Sequence, residues 1–452
     1  MAMHATMHAT PRLDTDRIVG DWRAMDGQLN GAEPSFARGL RRAAIGRFAE
    51  LGYPTPRQEA WRLTNVAPIA ATTFARPAAL PTTVTAAAIQ PFVYDGCARL
   101  VFVDGLFAPH LSDTAGLPAG VVAGGLAESL ATRPELVEPH LASLARHMEH
   151  PFVALNTAFL RDGAFVWVPR GVVVETPILL LFIASAGESP RVSYPRNLIV
   201  AGENSQCKVV ESYAGLSDHV YFTCPVTEVV VGQGAVVDHY KVQKESTAAY
   251  HVATLAIGQD RGSTFDSHAV LTGGGLVRND VIAVLGGEGG SCTLNGLYVV
   301  TGDQHVDNQM LVEHVAPHCT SYELYKGILD GRSSAVFNGR IYVHPGAQKT
   351  DAVQANRNLI LSADAIAHSN PQLEIFASDV RCTHGSTVGQ LDEDAVFYLR
   401  SRGIGEAAAK SILTYAFAAD IVDRIKVEAV RTDLAAFLFE RLPRGEVVRQ
   451  SL

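Results

Sequence analysis

Cys382 and His384 stand two residues apart in Arg381-Cys382-Thr383-His384-Gly385. On a strand that spacing puts thiol and imidazole on one face. Side by side they make either a nucleophile pair or half of a metal site; the plainer alternative is a buried cysteine beside a histidine bonded to backbone. His305, His314, His318, His344 and His368 lie in the same half of the chain, with Cys292 and Cys319. These are ligand types for soft metals and iron–sulfur clusters. Their long intervals favour hydrogen bonds at corners of the chain instead. His4 and His8 stand apart in an N-terminal tail. A second dense patch, Arg57-Gln58-Glu59-Ala60-Trp61-Arg62-Leu63-Thr64-Asn65, either binds a ligand or packs Trp61 among flanking ion pairs, and its composition favours packing. Gly273–Gly275 and Gly286–Gly290 lie between strand candidates with no helix after them. They read as tight corners, since a phosphate cradle needs a helix N-terminus. The sequence has no GxSxG elbow, Walker A loop, HExxH or EF-hand loop.

The elements that must hold these residues change texture along the chain. Phe36, Leu40, Ala44, Phe48 and Leu51 recur at helical spacing, and Gly52-Tyr53-Pro54 ends that helix. Residues 68–91, rich in Ala, Thr and Pro, read as an ordered linker, and residues 126–160 return to helical spacing. From about Phe165 to Gln390, short β-branched runs are cut by Gly, Asn, Asp and Ser: Val172–Val174, Leu198–Val200, Val229–Val231, Leu255–Ile257, Ile282–Val284 and Leu359–Leu361. Turn glycines at 202, 232, 258, 286 and 331 recur with a loose period, which signals a repeat architecture. No helical segments separate these strands, and no strict six-residue repeat is present. A right-handed parallel β-helix tolerates uneven coils and fits best, with Asn295-Gly296 and Asn338-Gly339 as corner dipeptides. Beyond Leu391 the pattern is helical again. Asp392 is placed to cap a short helix stopping at Gly403, and no Gly or Pro interrupts Glu406–Leu442.

Composition bounds the function classes. The chain has 452 residues, 47% of them hydrophobic, and a net charge of −9. It is apolar enough to bury a large core, and its acidic balance argues against a general nucleic-acid binder. The six cysteines lack CxxC spacing, which excludes a zinc ribbon and fits a reducing compartment. The longest apolar run, Ile178–Ala184, is too short for a membrane span, and no secretory signal is visible. A soluble cytoplasmic protein is expected.

The stretch from Phe337 to Ile404 contains Gly339-Arg340-Ile341-Tyr342-Val343, Lys349-Thr350-Asp351-Ala352, Gln354-Ala355-Asn356-Arg357-Asn358-Leu359, Pro371-Gln372-Leu373-Glu374-Ile375, Asp379-Val380-Arg381-Cys382-Thr383-His384-Gly385 and Phe397-Tyr398-Leu399-Arg400-Ser401-Arg402-Gly403-Ile404. With Pro56-Arg57-Gln58-Glu59-Ala60-Trp61-Arg62, these resemble the SufB/SufD family of the SUF iron–sulfur cluster assembly system. The resemblance is dense from 337 to 404 and thin between 70 and 150. SufB members carry Glu-His-Glu around the matching histidine, where Thr383 and Gly385 flank His384 here. They also carry a sulfur-accepting cysteine, and the matching position is Asn356. Both departures place the chain nearer the SufD branch.

The resemblance implies a mainly β fold: a right-handed parallel β-helix over 161–390, between a mainly helical N-terminal domain with linker over 1–160 and a helical C-terminal domain over 391–452. It implies a non-catalytic subunit that pairs with a SufB-like chain and docks a SufC-like ABC ATPase. His384 would then be a ligand shared with the partner for a nascent, transient cluster, and Cys382 a neighbour of lesser role. The C-terminal helices, through Phe397, Tyr398, Ile404, Ile412 and Phe417, would dock the ATPase, because so small a domain leaves apolar surface for a partner. No cofactor stably bound to the isolated chain is expected, and neither nucleic acid nor membrane as partner; the isolated chain has the option of a homodimer. Two other readings are a β-helix carbohydrate-active enzyme and a structural homo-oligomer.

Overall fold

The computed structural model describes residues 15–29, 34–77, 79–81, 83–187 and 189–441. His4, His8 and Leu442 lie outside them. Two long sheets, wound together, make a right-handed β-solenoid of about eight turns with helices at both ends. The first sheet runs through Ala98–Val103, Ile178–Ala184, Gln206–Gly215, Val236–Lys244, Thr264–Leu271, Ser291–Val300, Thr320–Leu329, Asp351–Ile360 and Arg381–Gly389. The second runs through Ala164–Val168, Arg196–Ala201, Val226–Val231, Tyr250–Gln259, Leu276–Leu285, His305–His314, Ser334–Val343 and Ile366–Ile375. Coil on coil the pairing is parallel, and hydrogen bonds between neighbouring coils join residues 29, 31 and 32 apart. Alternate side chains point into the lumen, where Val229, Ile257, Val281, Leu294 and Phe337 form one core.

The strand runs at 198–200, 229–231, 255–257 and 282–284 all fall in strands. Val172–Val174 does not: only Val173 bridges, to Gln206, between Gly171 in a left-handed turn and Pro177. Gly258 lies inside Tyr250–Gln259, where the Leu144 side chain packs on its bare Cα. Asn295-Gly296 and Asn338-Gly339 are not corners either. Each sits mid-strand, and the glycines leave room for Tyr325 and the Gln354 amide. The two glycine clusters do turn corners, with Gly273 pressed on the backbone of Glu245 and Gly287 on that of Arg261.

The boundary expected at 160 needs correction. Ala98–Val103 and Val122–Gly125 lie in the domain expected to be mainly helical with a linker, and both join the sheets. Leu100 and Phe102 face the lumen core while Val101 and Val103 face an outer layer, so the run is buried on both sides. Such a run lacks the alternation that would mark it as a strand. The helix with Phe48 on its buried face is Ser35–Leu51, closed by Gly52 at φ +65°. At the other end, Asp392 accepts from the amides of Asp394 and Ala395 and starts Glu393–Ser401. Glu406–Val422 and Glu428–Arg441 follow. They break at 423–427 without Gly or Pro, because Ile425 and Val427 are buried against the first sheet and Lys426 reaches Asp238 at 2.6 Å.

Candidate functional site: the open end of the solenoid

The last coil consists of Ile366–Ile375 and Arg381–Gly389. Among the described residues each has a sheet neighbour on one side only. Pro371 blunts the first edge, since it lacks an amide donor; the second is free of proline over nine residues. Around this end Ile366, Ile375, Phe376 and Val388 are exposed apolar side chains.

Arg381–Gly389 pairs in register with Asp351–Ile360, so Cys382 follows Ala352 and His384 follows Gln354. Ala352 and Gln354 are buried lumen residues, and Cys382 and His384 continue their rows on one face, as the spacing predicts. Cys382 is half-buried against the cluster of Ile341, Val343 and Ala352. Burial first, and the charge of Asp351 second, push its thiol above the ordinary range, so it is held as the weakly ligating thiol. His384 is exposed, and among the described residues its ring makes no hydrogen bond or ion pair. Gly385 beside it faces open space. Asn356 is fully buried. Its amide donates to the Tyr298 hydroxyl and the Tyr325 carbonyl, both at 3.1 Å, and its oxygen accepts from Asn358 at 2.7 Å. It is a lumen tie with no free reactive atom.

The other histidines are dispersed. His305 meets Thr64 and Ser334; His314 meets Ser321; His344 meets Glu313; His318 takes a left-handed corner; His368 is exposed. Cys292 is buried in the lumen, and the Cys319 thiol donates to backbone carbonyls. Among the described residues no three His, Cys, Asp or Glu side chains converge as a metal site, and all six cysteines are free. The Trp61 patch is a packing element, but its ion pairs come from elsewhere. Arg57, Gln58 and Glu59 are exposed, while Trp61 stacks on Arg278, whose partners are Asp280 and Asp307. That Arg/Asp cluster, the kind a polysaccharide-cleaving β-helix would expose, is closed over here.

At the C-terminal helices Phe397 is 69% and Tyr398 58% exposed. Ile404 and Ile412 are half-buried. Phe417 is half-buried against the solenoid, under the Lys326 ammonium. No helix among the described residues is long and apolar enough to cross a membrane.

Two polar groupings inside the lumen escaped the sequence reading. Lys241 is buried, with Nζ 2.6 Å from Asn279 and 2.9 Å from His251, and His251 meets Glu245 at 2.7 Å. Burial pulls its ammonium down to about 8, against the pull of Glu211 and Glu245. Farther along, Gln354 donates to Glu323 at 2.8 Å, and burial raises that carboxyl to about 7. Their shared rows appear only once the register between coils is known; the one local signal is a charged residue at an inward position of an apolar strand.

A parallel β-solenoid between helical ends, with an exposed histidine on its last strand, defines the fold class. Residues 23–180 match the SufBD protein N-terminal region, and residues 182–417 match the SufBD core domain of SUF system FeS cluster assembly. The chain is 33% identical to an iron-sulfur cluster assembly SufBD family protein of Synechocystis, over 93% of this chain and 95% of that one. It is 31% identical to the iron-sulfur cluster assembly protein SufD of Escherichia coli, over 89% of this chain and 92% of that one. It is 29% identical to SufD of Bacillus subtilis, over 64% and 66%. The chain belongs to the SufBD family and to iron–sulfur cluster assembly.

Proposed function

We propose that this chain is a non-catalytic, SufD-like subunit of the assembly scaffold, working in the cytoplasm. It pairs with a SufB-like chain at the open solenoid end and docks a SufC-like ATPase on its C-terminal helices. The nascent cluster, as cargo, forms between the two chains with His384 as one ligand. The carrying observation is the last strand: Arg381–Gly389 offers a proline-free edge, unpaired among the described residues, beside exposed Ile375, Phe376 and Val388, and holds His384 exposed at its centre. An added strand satisfies that edge, and the apolar rim supplies the buried area. One histidine here with thiolate or carboxylate across the interface gives a site labile enough to hand its cargo on. The dispersed histidines and the tied Asn356 agree with a ligand set that is incomplete on this chain. No cofactor is held by the chain alone, and the same edge allows a homodimer when no partner is present.

Co-expression with a SufB-like and a SufC-like chain tests this. A copurifying complex that dissociates when Ser386 or Val388 is replaced by proline supports it. Polysaccharide turnover, or a homodimer that excludes both partners, overturns it.

A further inference from the structure

His384 ends a lumen-facing row that runs in register through His239, Ser267, Leu294, Glu323 and Gln354. Neighbours in such a row stand about 4.8 Å apart. Two pairs in the row already bond along it: His239 Nδ1 lies 2.9 Å from Ser267 Oγ, and Gln354 Nε2 donates to Glu323 Oε2 at 2.8 Å. Gln354 is 1% exposed, and its Oε1 has no partner among the described residues. A buried amide oxygen left without a donor needs an explanation. Gly339, on the opposite sheet, keeps space for this amide: a side chain there would collide with it. With Nε2 committed to Glu323, the oxygen is the end left for the next coil. That coil brings His384, whose ring has no partner among the described residues.

We propose that Gln354 is the positioning residue for His384: its Oε1 accepts a hydrogen bond from one ring N–H, fixing the tautomer and turning the other nitrogen's lone pair toward the partner chain. The inference rests on the reading of His384 as a cluster ligand. Ligating imidazoles are commonly held this way, by an acceptor on the nitrogen that does not ligate. Glu323 acts one step behind, as the acceptor that sets which way the Gln354 amide points.

The test uses the full chain labelled with nitrogen-15 histidine, the His384 ring signals being those lost in His384→Asn. Long-range proton–nitrogen spectra report the tautomer without any cluster. In the wild-type chain one tautomer should dominate. In Gln354→Leu the signals should move to the two-tautomer average of a free imidazole, and Gln354→Glu, which keeps an acceptor, should restore the single form. An unchanged His384 spectrum in Gln354→Leu, with native melting, overturns the proposal; should leucine disturb the fold, Gln354→Met gives the same reading. In cells, Gln354→Leu should cut cluster maturation several-fold and Gln354→Glu should recover most of it. If His384→Ala abolishes maturation while Gln354→Leu leaves it intact, the positioning role falls. If the tautomer depends on Gln354 but His384→Ala matures clusters normally, the ligand reading falls and the hydrogen bond stands.

Discussion

The Arg278 guanidinium lies against Trp61, with its carbon 3.6 Å from the ring centroid. The same group donates to Asp280 at 2.8 Å, to Asp307 at 2.8 Å on the next coil, and to the Ala60 carbonyl at 2.7 Å. One buried cation therefore fastens the Pro56–Arg62 segment to two turns of the solenoid. Desolvated contacts of this kind are worth about 2 kcal/mol or more for the aromatic pair alone. The segment lies two coils before Ile366–Ile375, the last strand of the second sheet.

Arg278→Ala should destabilise the chain by about 3–5 kcal/mol, because two carboxylates are left buried without their cation. Urea unfolding followed by circular dichroism measures this. A loss below about 1 kcal/mol would show that the clasp contributes little.

Burial pulls His314 down to about 4. The unfolded chain takes up a proton near 6.5 that the folded chain refuses until about 4, so this group makes stability fall as pH drops through that window. The full effect is about 3 kcal/mol at 1.4 kcal/mol per unit. His314→Gln keeps a partner for Ser321 and removes the titration. The variant should gain on wild type between pH 6.5 and pH 4 in thermal melts, and a constant difference across that range would contradict the assignment.

Glu323 works in the opposite direction. Burial pushes its carboxyl up to about 7. Its favourable contribution is complete below about 4.5 and is lost as pH rises through 7, because the folded chain retains a proton that the unfolded chain releases. Glu323→Gln should therefore raise stability at pH 8 by up to about 3 kcal/mol and change little at pH 4. Equal effects at both pH values would mean that the carboxyl titrates normally.

The repeat was legible in the sequence because corners need glycine: Gly202, Gly232 and Gly286 all follow strands. Gly258 misled because it makes room for Leu144, and Gly296 because it makes room for Tyr325. A glycine set by a distant side chain looks the same as one set by a turn. Ala98–Val103 was hidden by burial on both faces. The Cys382–His384 face was local and readable, whereas Gln354 and Glu323 join it only through register across coils. Trp61 was readable as packed; its cation, Arg278, lies more than two hundred residues away.

Phe397 and Tyr398 stand exposed on Glu393–Ser401, and Phe417 packs inward on the solenoid. ATPase docking should therefore depend on the first two. Phe397→Asp should abolish copurification with a SufC-like ATPase and leave circular dichroism and melting unchanged, while Phe417→Asp should lower the melting temperature. Undiminished ATPase binding by Phe397→Asp would place the docking surface elsewhere.

His384 and Cys382 share a strand face but not an environment, so their replacement should separate their roles. His384 is exposed, and among the described residues its ring makes no hydrogen bond or ion pair. Its removal costs at most the single hydrogen bond proposed to Gln354 Oε1, about 1 kcal/mol, so His384→Ala should lower the melting temperature by no more than a few degrees and preserve assembly with the SufB-like and SufC-like chains. Cluster maturation in cells should nevertheless be lost, because the proposed function makes this imidazole the ligand that the chain contributes. Cys382 is half-buried on Ile341, Val343 and Ala352, and its thiol is held protonated. Cys382→Ala should cost about 1 kcal/mol through lost packing and reduce maturation mildly. The comparison needs both readouts on both variants: thermal melts of the purified complex, and activity of an iron–sulfur reporter enzyme in cells lacking the native subunit. Normal reporter activity with His384→Ala removes this residue from the mechanism. General unfolding with His384→Ala would make it a structural histidine. A stronger maturation defect from Cys382→Ala than from His384→Ala would transfer the ligand role to the thiol.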